Sequence, residues 1–301
     1  MKKYLKKLLC SIFAISILLV STIHVDAATP YKAISKKTKV GNYYIWPNSE
    51  KGIYVSKSNK LSPKKIVSKP KSSDTYITET LVTNGSKIYY GIVKGEFSTD
   101  TSSYIKIYRI DVSGKNKVYV GKVNNAQNLS GYYNGNLFVE KVKPGIAQYS
   151  IIDTYIYNLK TKKLSLVEKD FKIYCQNDKY VLGGIYMGDD GGKSSLIYVY
   201  NASTKKVYKI TSEGSNAKFL NGKIYYAYYG KVSNAEIKTC SYTGKNQKTL
   251  CTINVENGGI VDIKSTYVEY FEYDGNTSKE TYYRCYYLSG KVVKVKEIIL
   301  N

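Results

Sequence analysis

The side chains of this sequence that could do chemistry are carboxylates, cysteines, tyrosines and lysines. The single histidine, His24, lies in an amino-terminal segment with the pattern of an export signal. Ser-His-Asp and Cys-His nucleophile chemistry and imidazole metal sites each need a histidine, so the rest of the chain excludes them. Arg109 and Arg284 are the only arginines, which excludes a clustered arginine clamp. The composition therefore predicts no catalytic residues, no metal site and no cofactor.

Four aspartates in the longer loops are the candidate ligand-binding residues, namely Asp100, Asp189, Asp190 and Asp274. Asp189 and Asp190 are followed by two glycines, which is more typical of a polar turn than of a metal loop with ligands at fixed spacing. Two carboxylates on one face would suffice for glycoside hydrolysis. A secreted carbohydrate-active enzyme, a glycosidase or a lyase, is therefore the alternative to a non-catalytic protein.

Lysine carries almost all of the positive charge, which amounts to a formal net charge of +23. A soluble surface with a lysine-rich composition explains this charge without any partner. Adhesion to a polyanion is the alternative, and its candidate residues are Lys162, Lys163, Lys205 and Lys206. These lysines fall in predicted hairpin turns, which share one face of the predicted fold, whereas the four aspartates fall in loops of the opposite face.

Four cysteines lie beyond residue 27, and two of them flank a predicted hairpin turn at residues 243–246. A four-residue loop would place Cys240 and Cys251 directly opposite each other, where they could form a cross-strand disulfide in an oxidising compartment. Buried free thiols are the alternative, and a two-residue loop would put the pair out of register. No CxxC or zinc spacing is present.

The first 27 residues predict the compartment. Four lysines precede an apolar run, residues 8–20, and residues 25–27 offer small side chains for a signal-peptidase cut. We expect a secreted, extracellular protein with no transmembrane segment after cleavage, and association with the cell wall would be compatible with this compartment. An uncleaved anchor is the alternative, although polar residues at 21, 22 and 24 weaken a span that needs about 20 apolar residues. Because export is predicted, we expect no nucleic-acid partner.

The elements that must position these side chains repeat six times, at intervals of about 43 to 50 residues. In each repeat a short turn runs into a tyrosine-rich strand and is followed by a lysine-rich hairpin; the turns begin near Gly41, Asn84, Asn134, Asn177, Asn221 and Lys264. Several strands are apolar on both faces, as at Ile105, Ile107, Tyr108 and Ile110. These features predict an all-β, six-bladed β-propeller with four-stranded antiparallel blades.

The predicted domain organisation is a signal peptide, residues 1–27, and a single propeller domain, residues 28–301. The blades are expected at about 31–70, 73–122, 124–169, 171–213, 215–254 and 258–301. Residues 31–37 could form the inner strand of the first blade, or could close the ring by pairing with the outer edge of the last blade.

The repeat NGKIYY followed by a strand and TGKNQKTL, residues 221–226 and 243–250, resembles a family of secreted Gram-positive propellers. This family is a domain of unknown function likened to the propeller of low-density-lipoprotein-receptor-related proteins. The resemblance covers about residues 36–300 and is strongest in the fifth repeat. It implies an extracellular propeller and carries over no catalytic residues.

The sequence favours a secreted, monomeric, non-catalytic binding or scaffold propeller at the bacterial envelope. The expected partner is an anionic cell-wall polymer, a polysaccharide or an extracellular protein. A sensor or adhesion domain would use the same loop face.

Overall fold

Tyrosine-rich and β-branched segments separated by Asn and Gly turns form antiparallel strands throughout the computed structural model. The structure describes residues 31–58, 62–95, 103–142, 152–186, 195–231 and 233–300. Within these ranges every regular element is a β-strand, which confirms the predicted all-β class.

The strands form five sheets that follow one another along the chain. β1 (Lys32–Ile34) precedes the first sheet, which contains β2 (Thr38–Val40), β3 (Tyr43–Asn48), β4 (Gly52–Ser56) and β5 (Lys64–Ser68). The second sheet contains β6 (Thr75–Ile77), β7 (Leu81–Thr83), β8 (Lys87–Lys94), β9 (Tyr104–Asp111) and β10 (Val118–Asn124). The third contains β11 (Ala126–Tyr133), β12 (Asn136–Val142), β13 (Ile152–Asn158) and β14 (Leu164–Glu168).

The fourth sheet has seven strands because one long strand belongs to two four-stranded arrays. The fourth sheet contains β15 (Phe171–Asn177), β16 (Tyr180–Tyr186), β17 (Ser195–Asn201), β18 (Lys206–Leu220), β19 (Lys223–Lys231), β20 (Asn234–Cys240) and β21 (Lys248–Asn254). The first part of β18 pairs with β17 and its last part pairs with β19. The fifth sheet contains β22 (Gly258–Ile263), β23 (Tyr267–Asp274), β24 (Lys279–Tyr286) and β25 (Val292–Ile299).

Apolar clusters lie between consecutive sheets, so that most strands are covered on both faces. In β9, Ile105 and Ile107 pack into a cluster shared with the third sheet, whereas Ile110 packs into a cluster shared with the first. Alternate side chains of a strand point to opposite faces, which explains why this strand is apolar at both parities. The predicted two-sided burial is confirmed here.

Three further clusters join the third sheet to the fourth, the two arrays of the fourth sheet to each other, and the fourth sheet to the fifth. Phe138 and Phe171 lie in the cluster between the third and fourth sheets. Tyr226 and Ile197 lie in the cluster between the two arrays of the fourth sheet. Ile237 and Val268 lie in the cluster between the fourth and fifth sheets. None of the five clusters of described residues joins the first sheet to the fifth.

The amino-terminal strand takes neither of its two predicted places. β1 pairs with β7 of the second sheet, with Ala33 opposite Val82, rather than with the first or the last sheet. Its neighbour Tyr31 packs against Tyr132 at 4.1 Å between ring centroids, and Ile34 is buried in the cluster between the first and second sheets. Both predicted placements are therefore wrong, because these apolar contacts hold β1 beside β7.

Candidate binding faces

Two basic turns hold the four candidate polyanion-binding lysines. The first basic turn, residues 159–163, joins β13 to β14, and the second, residues 202–206, joins β17 to the start of β18. Each follows an asparagine whose side-chain oxygen accepts backbone N–H bonds from the turn: Asn158 from Thr161 at 2.8 Å, and Asn201 from Ser203 at 3.0 Å. Such Asx contacts fix the turn conformation.

Lysine occupies the left-handed position of both basic turns. Lys162 has a φ of 61° and donates its N–H to the Asn158 carbonyl at 2.8 Å; Lys205 has a φ of 58° and donates to the Asn201 carbonyl at 2.7 Å. The corresponding hairpin of the fifth sheet makes the same bond from Gly290, with a φ of 64°. Glycine adopts this conformation without the steric cost that a lysine has.

The four lysine side chains are exposed, and no ion pair engages any of them in the part of the chain that the structure describes. Some other lysines are neutralised: Lys87 pairs with Asp111 at 2.6 Å and Lys279 with Glu297 at 2.6 Å. Lys162 and Lys163 belong to the third sheet and Lys205 and Lys206 to the adjacent array of the fourth. Positive charge is thus left uncompensated on neighbouring turns.

Of the four candidate aspartates, only Asp274 is among the described residues; Asp100, Asp189 and Asp190 lie outside them. Asp274 accepts hydrogen bonds from the Thr277 hydroxyl at 2.7 Å and the Asn276 N–H at 3.0 Å. These bonds lower the pKa of its carboxyl group. The side chain therefore caps its own turn, at the edge of a cavity of about 380 Å³ that it shares with Glu256, Glu272 and Lys279.

A second cavity, of about 160 Å³, lies where the second, third and fourth sheets meet, and we refer to it as the Glu140 cavity. Its lining residues come from β6, the segment before β7, β11, β12, β13 and β15: Tyr76, Glu79, Gln127, Asn128, Glu140, Ile152 and Lys172. Glu79 and Lys172 are exposed, whereas Glu140 is only 4% exposed. The cavity therefore has a charged mouth and a buried carboxyl group.

Burial raises the pKa of Glu140, and hydrogen bonding to Asn128, together with the nearby charge of Lys172, acts in the opposite direction. The Asn128 amide donates to Glu140 Oε2 at 3.4 Å, and its oxygen accepts from the Thr80 N–H at 3.2 Å. Burial and, to a smaller extent, the charge of Glu79 together raise the pKa of Tyr76 to about 12. A buried titratable group with a perturbed pKa in a cavity is a candidate functional residue.

The Glu140 cavity offers carboxyl, amide and phenol groups, which suit hydroxyl or ammonium groups of a small ligand. No group of three or more Asp, Glu, Cys or His side chains suited to a metal ion occurs among the residues that the structure describes. Sequence reasoning missed this cavity. The available signal was a glutamate inside the apolar strand segment 137–142, where a side chain is expected to be buried on either face.

The predicted pairing of Cys240 with Cys251 is not what the structure contains. Cys251 lies opposite Ile237, and Thr239 lies opposite Lys248, so the register that would place the two cysteines face to face is wrong. The hairpin closes on a shorter loop than the four-residue one, because Thr239 pairs with Lys248 and the Ser241 N–H donates to the Lys245 carbonyl at 2.9 Å. All four described cysteines are free thiols.

No protein-family model and no curated protein matches this chain. Among solved structures it is similar to an acylaminoacyl peptidase in complex with Z-Gly-Gly-Phe-chloromethyl ketone, at 14% identity over 84% of this chain and 43% of that chain, with a TM-score of 0.51. It is also similar to an uncharacterized protein from Listeria monocytogenes EGD-e, at 9% identity over 91% of this chain and 85% of that one, with a TM-score of 0.49.

A third similar structure is the beta-propeller domain of the Trilobed protease from Pyrococcus furiosus, at 15% identity, 84% coverage of this chain, 77% of that chain and a TM-score of 0.45. The described residues form successive antiparallel sheets, and propeller proteins are among the solved structures to which the chain is similar. Identities this low indicate the fold alone, and the chain spans only 43% of the acylaminoacyl peptidase chain. The described residues contain no helix with the length and apolar character needed to cross a membrane.

Proposed function

We propose that this protein is a secreted six-bladed propeller that acts, without catalysis, as a binding module on an anionic polymer of the bacterial cell envelope. Six sets of four strands support the blade number: one in each of the first, second, third and fifth sheets, with β6 and β7 together as the inner strand of the second, and two in the fourth sheet through the shared β18. The export pattern of residues 1–27 supports the compartment.

The observation that carries this proposal is the pair of basic turns. Four exposed lysines stand on neighbouring blades without an ion pair to any described residue, and two of them occupy a left-handed position where the equivalent hairpin has Gly290. A lysine side chain near an anionic surface contributes about 1 kcal/mol of attraction, so several together hold a protein without a shaped pocket. This attraction is screened over about 10 Å at 0.1 M salt.

The test is co-sedimentation with purified Gram-positive cell wall at increasing salt. We expect binding to fall steeply between low and moderate salt, and a variant with Lys162→Glu, Lys163→Glu, Lys205→Glu and Lys206→Glu to lose most binding at low salt. The matched control reverses four exposed lysines of the opposite loop face, Lys51→Glu, Lys69→Glu, Lys71→Glu and Lys169→Glu, and thus has the same net charge.

Comparison of the two variants distinguishes binding through the basic turns from attraction that depends only on the net charge of the protein. If the basic turns bind the polymer, the control variant retains most of its binding. Equal loss in the two variants would mean that only net charge matters, and absence of binding at low salt would reject the proposal.

A second candidate function is carboxylate-based cleavage of a carbohydrate, and the observation that favours it is that Glu79 and Glu140 line one cavity. A carboxyl group with a raised pKa suits a general acid, and a second carboxylate suits a base or nucleophile. This function requires polysaccharide turnover that falls at least about 100-fold in both Glu140→Gln and Glu79→Gln. Absence of turnover by the wild-type protein on plant and bacterial polysaccharides would reject it.

A further inference from the structure

Cys251 points from the fourth sheet toward the fifth. It lies on β21 directly opposite Ile237 of β20, and directly opposite residues of an antiparallel pair project on the same face. Ile237 is fully buried in the cluster between the two sheets, and Cys251 packs against that cluster. The thiol of Cys251 therefore lies in the interface between the two sheets.

Cys285 points into the same interface from the other side. It lies on β24 opposite Val268 of β23, and both side chains are buried in that cluster. Cys285 is one of the groups that raise the pKa of Cys251, so the two thiols are neighbours across the interface. A contact of this kind across two packed sheets is the arrangement that inter-sheet disulfides of β-sandwiches use.

The two other described cysteines provide an internal comparison. Cys240 is buried in the cluster between the two arrays of the fourth sheet, and Cys175 packs against that same cluster. Burial raises the pKa of both thiols, and no other cysteine contributes to either shift. Two cysteines that contact the same apolar cluster are therefore not necessarily neighbours of each other.

We propose that Cys251 and Cys285 are the site of a disulfide that covalently joins the last sheet to its neighbour when the protein meets a low-molecular-weight disulfide. The half-buried Cys251 thiolate attacks a sulfur of the small disulfide and forms a mixed disulfide, which releases one small thiolate. Cys285, after loss of its proton, then attacks the Cys251 sulfur and releases the second small thiolate. Two protein thiols are oxidised and one small disulfide is reduced to two thiols.

Burial slows the first step without preventing it. Burial and the adjacent Cys285 together raise the pKa of Cys251 to about 12, so that little thiolate is present at neutral pH. Prolonged incubation is therefore needed. The product joins strands of two sheets whose alignment the folded protein already sets.

The test is peptide mapping of the full chain after incubation with oxidised glutathione, denaturation, alkylation of the remaining thiols and digestion with trypsin. The four described cysteines fall on separate peptides: residues 173–179, 239–245, 249–264 and 285–291. We expect peptide 249–264 to be recovered joined to peptide 285–291, and the other two to be recovered alkylated.

Two variants keep the result decisive. Cys285→Ser should abolish the cross-link and leave Cys251 alkylated or glutathionylated, whereas Cys240→Ser, which also removes a buried thiol, should leave the cross-link in place. Recovery of peptides 249–264 and 285–291 fully alkylated in the wild-type protein would overturn the proposal. A cross-link from either peptide to residues 239–245 would overturn it equally.

Discussion

Glu140 shows how a single side chain departs from its ordinary chemistry because of where the strand places it. The position is almost fully buried, Ser130 and the amide of Asn128 lie beside its carboxyl group, and the charge of Lys172 is nearby on β15. Burial penalises the charged form more than these neighbours favour it, so that the pKa is raised. A carboxyl group of this kind binds protons more tightly in the folded state than in the unfolded state.

The pH dependence of stability follows from that difference. Below the unfolded pKa, ordinarily about 4.3, Glu140 is protonated in both states, and its contribution is fully present. As pH rises through the folded pKa, this contribution is lost. We expect Glu140→Gln to remove the corresponding decline in the free energy of unfolding, measured by urea denaturation from about pH 4.5 to pH 7.

The control for this prediction is Glu79→Gln, which removes an exposed carboxylate at the mouth of the same cavity. It should leave the decline in place. The carboxyl groups of Asp111 and Glu297, whose pKa values are lowered by lysine contacts, act with the opposite sign and only at lower pH. Equal pH slopes in wild type and Glu140→Gln would contradict the prediction.

At the scale of elements, the hairpin turns determine where the lysine charge lies. Asn158 and Asn201 bond to the backbone of their turns, and the chain then passes through a left-handed residue before the next strand begins. In the second and fourth sheets, Asn116 and Asn246 take the left-handed conformation in other hairpins. Lysine at this position is the costlier choice, since its Cβ is crowded where φ is positive.

Glycine substitution at two adjacent lysines separates backbone cost from side-chain loss. Lys205→Gly relieves a left-handed lysine, and we expect the free energy of unfolding to stay constant or rise by up to about 1 kcal/mol. Lys206→Gly, in β18 opposite Asn201, should lower it by roughly 0.5 to 1 kcal/mol, because glycine weakens a strand. Urea denaturation of both variants is the measurement. A larger loss in Lys205→Gly than in Lys206→Gly would show that the lysine side chain stabilises the turn.

At the scale of the whole molecule, the five apolar clusters form a series along the chain: four lie between consecutive sheets and one lies between the two arrays of the fourth sheet. The fifth sheet has a cluster on one face only among the described residues, and nearly all of β25 is exposed. By contrast, β8 and β12 are buried along most of their length. Local stability should therefore be unevenly distributed along the series.

Amide hydrogen exchange measures this distribution. We expect the amides of β25 to exchange fastest among the central parts of long strands and those of β8 and β12 to exchange slowest, because opening the fifth sheet exposes one apolar cluster whereas opening the second exposes two. Protection in β25 equal to that in β12 would show that the outer sheet unfolds only with the whole protein.

Local features of the sequence determined the all-β class, the four-stranded repeat and the turn positions. Left-handed residues do occur at or beside the predicted turns, at Gly41, Gly85, Asn134, Asp178 and Asn221. Two-sided burial of β9 was also predictable, because it depends on the alternation of neighbouring side chains. These properties depend on residues a few positions apart, and the sequence therefore contains them directly.

Only the tertiary structure decided which distant residues meet. Tyr31 packs against Tyr132, Glu140 lies near Lys172, and Cys251 faces Cys285 instead of Cys240. Each of these contacts depends on how one sheet packs on another and on register shifts within strands, and neither alternation nor turn chemistry specifies them. The basic turns were predictable because turn residues are local and exposed, whereas the Glu140 cavity exists only where three sheets converge.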